Sequence, residues 1–248
     1  MQRIFSAEPI TGGVISILGA DAHHLARVLR MKPGEELTVS DPMGFDHVCR
    51  IESVSGECVT AAVISTSENK TEPPYRAALY QGMPKGDKTD VIVQKAVELG
   101  AYSVVFGVTE RSVARPDAAS LAKKTERLCR ISESAAKQSG RGCVPVISSA
   151  CGFAEMLQSV CEADVPLFCY EGGGENIADI LSSVGEEIRQ KKYFTVAVMI
   201  GPEGGFSQKE ADAAKAAGVR FCSLGARILR TETAGSHVLS CIAYEFDK

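Results

Sequence analysis

"FTVAVMIGPEGGFSQKEADAAKAAG", residues 194–218, decides how this chain is built. An unbroken apolar, β-rich run ends at Gly201, a glycine-rich loop follows, and Ser207 then opens a run of helix-forming residues. An apolar stretch without alternation is the pattern of a strand buried on both faces. Ser207 with Glu210 three residues on is a capping-box signal, which places the helix start at the end of the loop. Strand, loop and helix in that order make one α/β unit.

The same grammar extends in both directions. Upstream, "RAALYQGM" precedes a helix through "TDVIVQKAVELG", and "YSVVFGV" precedes one within "DAASLAKKTERLCRISESAAKQSG". "VPVIS" leads to "FAEMLQSVCE", and "VPLFCY" to "NIADILSSVGEEIRQ". Downstream, "RFCSLG" leads to "TAGSHVLSCIAYEF". Six strand–helix units predict an α/β domain on a mostly parallel sheet. The N-terminal part reads differently. "GVISIL", "ELTVSD", "HVCRIESV" and "CVTAAVIS" are β-rich runs parted by turn residues. Between the first two, "DAHHLARVLRMKPG" predicts a short helix capped by Asp21, with Leu25, Val28 and Leu29 at helical spacing and Pro33–Gly34 at its end. A small β-barrel with one helix fits. The polar "SENKTEPP", residues 67–74, is the best linker, giving domains over 1–70 and 74–248.

With 248 residues, 45% hydrophobic and 23% charged, the chain is long enough for two modest cores. No apolar run approaches the roughly 18 residues of a membrane span, and "MQRIFSAEPI" lacks an apolar signal core, so a cytoplasmic location is expected. The nine cysteines form no C-x-x-C pair, so buried free thiols are expected in preference to disulfides or metal sites. Charge is uneven. Residues 1–75 hold 6 basic and 10 acidic side chains, residues 76–142 hold 12 and 7, and residues 143–248 hold 9 and 14. The basic middle is either a phosphate footprint or a set of solvated helix faces.

Ligands of open α/β sheets bind beyond the C-terminal strand ends. Three loops there stand out: "YEGGG" (170–174), "GPEGGFS" (201–207) and the "LGARILRTETA" stretch (224–234). Falling in the last three sheet units, they predict one shared pocket. "GPEGG" lacks the Lys-Ser/Thr of a phosphate-binding loop, and no G-x-G-x-x-G opens the domain. Glu203 would repel a phosphate, so a cationic or neutral ligand suits the loop better.

Together, "GPEGGFSQKE", "LGARILRTETA", "KTDVIVQKAVELG" and "ISESAAKQSGRGCVPVI" resemble the bacterial 16S ribosomal RNA uridine-N3 methyltransferases, of the SPOUT class. The resemblance covers nearly the whole chain. It implies a PUA-like N-terminal barrel, a trefoil-knotted methyltransferase domain, S-adenosylmethionine (AdoMet) as cofactor, 16S rRNA or the small ribosomal subunit as partner, a homodimer, and neither metal nor membrane. The cofactor would lie bent between the three loops, held largely by backbone groups. Leu224, Ile228 and Leu229 would supply apolar walls, beside Gly225. Ile200, Gly201, Gly204 and Gly205 would come from the second loop, and Leu167 and Tyr170 from the first.

Uracil N3 carries a proton that must leave before methyl transfer. Either a base removes it or positive charge stabilises the deprotonated ring. Arg230 is the candidate for stabilising that anion or holding a phosphate. Glu232 would orient Arg230 or serve the helix N-terminus, where carboxylates are favoured. Glu203 would act as the base or face the sulfonium. Arg111, Arg115, Gln138 and Arg141 are candidates for RNA contact. Arg27 and Arg30, beside His23 and His24, either touch RNA or form a solvated helix face. Two other functions use parts of the pattern. A non-catalytic RNA-binding module needs the basic middle but not the loops, and a methyltransferase of this class with another RNA target needs both.

Overall fold

The computed structural model describes residues 1–150, 152–188, 191 and 193–247. The chain forms two compact units, Met1–Glu72 with Ala136–Val144, and Pro73–Ala135 with Pro145–Lys248.

The first unit is a five-stranded sheet of β1 (Gln2–Phe5), β2 (Val14–Leu18), β3 (Glu36–Ser40), β4 (Phe45–Val54) and β5 (Cys58–Glu68). Strand order is β1-β3-β4-β5-β2, antiparallel except for the β1–β3 pair. The inward residues of successive strands, among them Ile4, Ile17, Leu37, Val39, Ile51 and Val59, share one core, as the period-two alternation of a half-buried strand requires. Both edge strands feed that core but, among the described residues, they do not pair with each other, so the expected barrel is open.

The predicted N-terminal helix differs from its reading. It starts earlier, as α1 (Gly19–His23), and continues as a π-type turn over His24–Val28. Leu18, not Asp21, is its N-cap, and Asp21 instead pairs with Lys137 Nζ at 2.8 Å. Ala22 and Leu25 are its buried residues, while Val28 and Leu29 are exposed. The wider turn departs from the 3.6-residue register that the spacing of Leu25, Val28 and Leu29 implies. The helix ends by Arg30, which is left-handed at φ 53°, before Pro33 is reached.

The linker is fastened at its start. Asn69 Nδ2 donates to Asp46, Thr71 Oγ1 to the Gly140 carbonyl, and Glu72 accepts from Arg141, Gly142 and Cys143. Arg141 is 4% exposed. Its guanidinium pairs with Glu72 at 2.7 Å, so the phosphate contact expected of it gives way to a structural ion pair.

The second unit is a seven-stranded, all-parallel sheet. Its strands are β6 (Tyr75–Gly82), β7 (Ala101–Gly107), β8 (Val146–Ala150), β9 (Val165–Cys169), the two-residue β10 (Glu175–Asn176), β11 (Phe194–Ile200) and β12 (Arg220–Ser223), in the order β10-β12-β9-β11-β6-β7-β8. The helices are α2 (Lys88–Glu98), α3 (Ala118–Ser139), α4 (Phe153–Cys161), α5 (Ile177–Ile188), α6 (Gln208–Ala216) and α7 (Thr231–Phe246). Helix α7 packs on α2, α5, β6 and β11. Gly235 makes that approach possible, since a Cβ there would lie 3.2 Å from Leu79. Phe168 and Phe206 stack at 4.3 Å, with Phe153, Tyr170 and Phe221 around them, in the core against which the second loop returns.

Candidate functional site

Strand register sets the site. Ile200 of β11 pairs with Gln81 of β6 and with Cys169 of β9, and Cys169 pairs with Cys222 of β12. Four strands therefore end side by side, and the three loops leave from one edge. They enclose a cleft of about 490 Å³. Tyr170 and Glu171 line it from the first loop, Gly201–Glu203 and Gly205–Phe206 from the second, and Leu224–Arg230 from the third.

The second loop is built for close backbone approach. Gly205 is left-handed at φ +66°, and a Cβ at Gly201 would lie 3.0 Å from the Gly205 backbone. The turn closes through Gly205 N–H to the Pro202 carbonyl at 2.9 Å. Beyond it Ser207 caps α6 in a full capping box with Glu210, as its spacing predicts.

The third loop explains its polar residues. Thr231 Oγ1 donates to the Gly201 carbonyl at 2.6 Å and accepts from Gln81 Nε2 at 2.8 Å. Gln81 Nε2 also lies 3.0 Å from the Gly82 carbonyl and 3.2 Å from that of Gly201. A fully buried amide thus ties the ends of β6 and β11 to the start of α7. Gln81 has a visible signal, a polar residue at the end of the apolar run "RAALYQG", which no role was given.

The charged lip centres on Lys88, another residue that sequence reading left without a role although it opens "KTDVIVQKAVELG". Its Nζ lies 2.9 Å from Glu203 Oε1 and 3.2 Å from Glu232 Oε2. The hydrogen bond from Lys88 to Glu203 raises the lysine's pKa against the effect of burial, and Glu232 adds to the rise. Burial pushes the Glu203 carboxyl up, but Lys88 and backbone N–H groups, including that of Lys85, pull it lower overall. A carboxylate held below its ordinary range is a weaker base, which counts against Glu203 as proton acceptor. Glu232 sits in the first turn of α7 and answers to Lys88, not to Arg230. Arg230 is the N-cap residue of α7; it is exposed and, among the described residues, has no ion-pair partner.

The other expected residues divide clearly. Ile200, Leu224, Gly225 and Leu229 line the cleft with Tyr170, Gly201 and Gly205. Ile228 lines it too but is 88% exposed, a rim residue in place of a wall. Leu167 is buried within β9 and does not reach the cleft. Gly204 faces away, its carbonyl accepting from Arg111 Nη1 at 2.9 Å. Arg111 and Arg115 are exposed on the loop after β7, and Gln138, Arg27 and Arg30 are exposed in the first unit. The eight described cysteines are free, but only Cys49 and Cys222 are buried, and Cys129 and Cys161 face solvent. The hydrogen bond with Cys222, together with burial, pushes the Cys169 thiol well up. Cys151 lies outside the described residues.

Comparison with known proteins follows the same division. Residues 71–243 match a family described as "RNA methyltransferase domain", and residues 17–64 one described as "RNA methyltransferase PUA domain". The chain is 34% identical over 235 residues to "Ribosomal RNA small subunit methyltransferase E" of Bacillus subtilis, covering 93% of this chain and 90% of that protein. Among solved structures, the protein of the same name from Neisseria gonorrhoeae, bound to S-adenosyl methionine, superposes with a TM-score of 0.81 at 26% identity, covering 98% and 97% of the two chains. A Legionella pneumophila chain assigned as a methyltransferase, with the cofactor SAM bound, reaches 0.83 at 28% identity over 98% and 96%. With its three-loop cleft and both of its units matched, the chain belongs to the ribosomal RNA small subunit methyltransferase E family.

Proposed function

We propose that the protein methylates N3 of one uridine in 16S rRNA of the small ribosomal subunit, using AdoMet. The observation that carries this is the cleft itself. Its volume falls in the range of small-molecule sites, and its backbone is brought close by glycines where a Cβ would clash. Apolar Ile200, Leu224 and Leu229 offer surfaces for an adenosine, and the Glu171 carboxylate at the cleft suits a cationic group. AdoMet, when bound, supplies an electrophilic methyl group. Arg230, exposed at the cleft and without an ion-pair partner among the described residues, is the group we assign to stabilising the uracil anion. The depressed pKa of Glu203 favours this over general-base removal of the proton.

On this reading, the PUA-like domain of 1–70 presents Arg27 and Arg30 to RNA, and the knotted methyltransferase domain of 74–248 presents Arg111 and Arg115. The return of α7 across β6 and β11, after β12 has paired outside β9, supports the knotted path. A homodimer would cover Ile228 and Tyr244, which are 88% and 81% exposed. The working compartment would be the cytoplasm. Mass spectrometry of 16S rRNA nucleosides from a deletion strain tests the reaction. Loss of 3-methyluridine, restored by the gene, is the expected result, and an unchanged level overturns it. Light scattering should report about twice 26.4 kDa.

A further inference from the structure

The loop after β7 is joined to the second loop of the cleft by more bonds than a connection to α3 requires. Glu110 N–H donates to Glu210 Oε1 at 2.8 Å, and Ser207 Oγ donates to Glu110 Oε2 at 2.7 Å. Glu210 Oε2 accepts from Ser207 N–H at 2.9 Å, and Arg111 Nη1 reaches the Gly204 carbonyl at 2.9 Å. The loop is stiff in itself. Thr109 N–H donates to Ser112 Oγ with both residues buried, and Arg115 Nη2 donates to the carbonyls of Thr109 and Glu110 at 3.2 and 2.9 Å. Two glutamates thus converge on Ser207. Like charges this close oppose each other, and the positive end of α6 offsets that cost.

We propose that residues 109–115 and 201–207 move as one body, with Glu110 as the positioning residue that joins them, so that RNA binding and AdoMet binding strengthen each other. This rests on the reading above and adds regulation to that site. Arg111 spends one donor on Gly204 and keeps its Nε and Nη2 edge for phosphate oxygens. Because the same bonds carry a displacement of one loop to the other, a ligand that fixes 201–207 also fixes the placement of 109–115, and the second ligand meets its loop already placed. The effect is reciprocal by linkage.

Equilibrium dialysis of radiolabelled S-adenosylhomocysteine, with and without saturating unmethylated small ribosomal subunits, tests this without turnover. The wild-type affinity should rise about 5- to 20-fold with subunits present. Glu110→Ala removes the Ser207 bond but leaves the Glu110 N–H bond to Glu210 and the Arg111 bond to Gly204, so it should lower that ratio by about half. Affinity without subunits should stay within about threefold, because Ser207 keeps its own bond to Glu210 N–H. Glu110→Gln retains an acceptor for Ser207 Oγ and should keep most of the coupling. A wild-type ratio near one, or full coupling in Glu110→Ala, overturns the proposal while leaving the proposed function standing. Absence of S-adenosylhomocysteine binding under both conditions overturns the proposed function itself, and the coupling with it.

Discussion

Thr231→Val isolates the hydroxyl that fastens the third loop to the second. Valine keeps the branched shape, so no cavity opens. The side chain is 6% exposed and its partner Gln81 is fully buried. Two hydrogen bonds are lost, one to the Gly201 carbonyl and one from Gln81 Nε2. Neither partner is orphaned. Gly201 still faces Gln81, and the Gln81 amide still has two carbonyls. The full desolvation penalty therefore does not apply, and each bond is worth about 1 kcal/mol. The expected loss is about 2 kcal/mol, or roughly 4–8 °C in Tm for a chain of this size. Thr231→Ser keeps the hydroxyl and should lose less than about 1 kcal/mol. Circular dichroism melts give the first readout. Hydrogen exchange of the Gly201, Glu203, Gly204 and Gly205 amides gives the second, and should quicken in the valine variant only. If valine melts with wild type, or serine falls as far as valine, the hydroxyl bridge does not hold the loop.

Arg230→Ala should slow single-turnover methylation by about 100-fold, the scale for losing one preorganised charge donor, with a much smaller change in S-adenosylhomocysteine affinity. Equal losses in both would make Arg230 part of the cofactor pocket, and Arg230→Lys should rescue only in part, because a point charge does not copy a planar fork. The pKa of Glu203 is depressed, so its ionisation stabilises the fold above the unfolded carboxylate pKa, and that contribution fades as pH falls through the folded value. Lys88→Met removes the chief downward pull and brings the folded pKa back towards the unfolded one, so in urea midpoints from roughly pH 3 to 6 the acid loss should become smaller; an identical pH profile would show that Lys88 does not control Glu203. Glu72→Gln removes the charge facing a guanidinium that is 4% exposed, and should cost about 3 kcal/mol in denaturant titration, at the low end for a broken buried pair because Glu72 keeps some solvent.

The α/β order was legible because each strand of the second unit is short, apolar and followed by a helix of the right length. Two strands escaped notice. Gln2–Phe5 has only four residues, and Glu175–Asn176 has two polar ones, so neither carries a periodicity to detect. The N-terminal helix is legible from the spacing of Leu25, Val28 and Leu29, but the π-type turn over His24–Val28 is not, because a one-turn widening leaves no mark in that spacing. The three loops were legible as a group from their glycines and their place after strands. Individual side chains were harder. Gln81 and Lys88 act through partners more than 100 residues away in sequence. Arg141 looked like a surface cation because sequence spacing does not reveal that Glu72 would enclose it.

The bond from Gln81 to Thr231 spans 150 residues, and that from Gln81 to Gly201 spans 120. During vectorial synthesis, then, the amide that organises the cleft is made early and waits for its partners. A growing chain that has reached residue 223 has the strands that end in the first two loops, yet it lacks the hydroxyl that pins Gly201 and the helix that backs β6. The cleft is assembled by the segment that leaves the ribosome late. A chain stalled before Thr231 should therefore hold no ordered binding site, and the protein acquires the ability to act on ribosomal RNA only once its own translation has passed that residue.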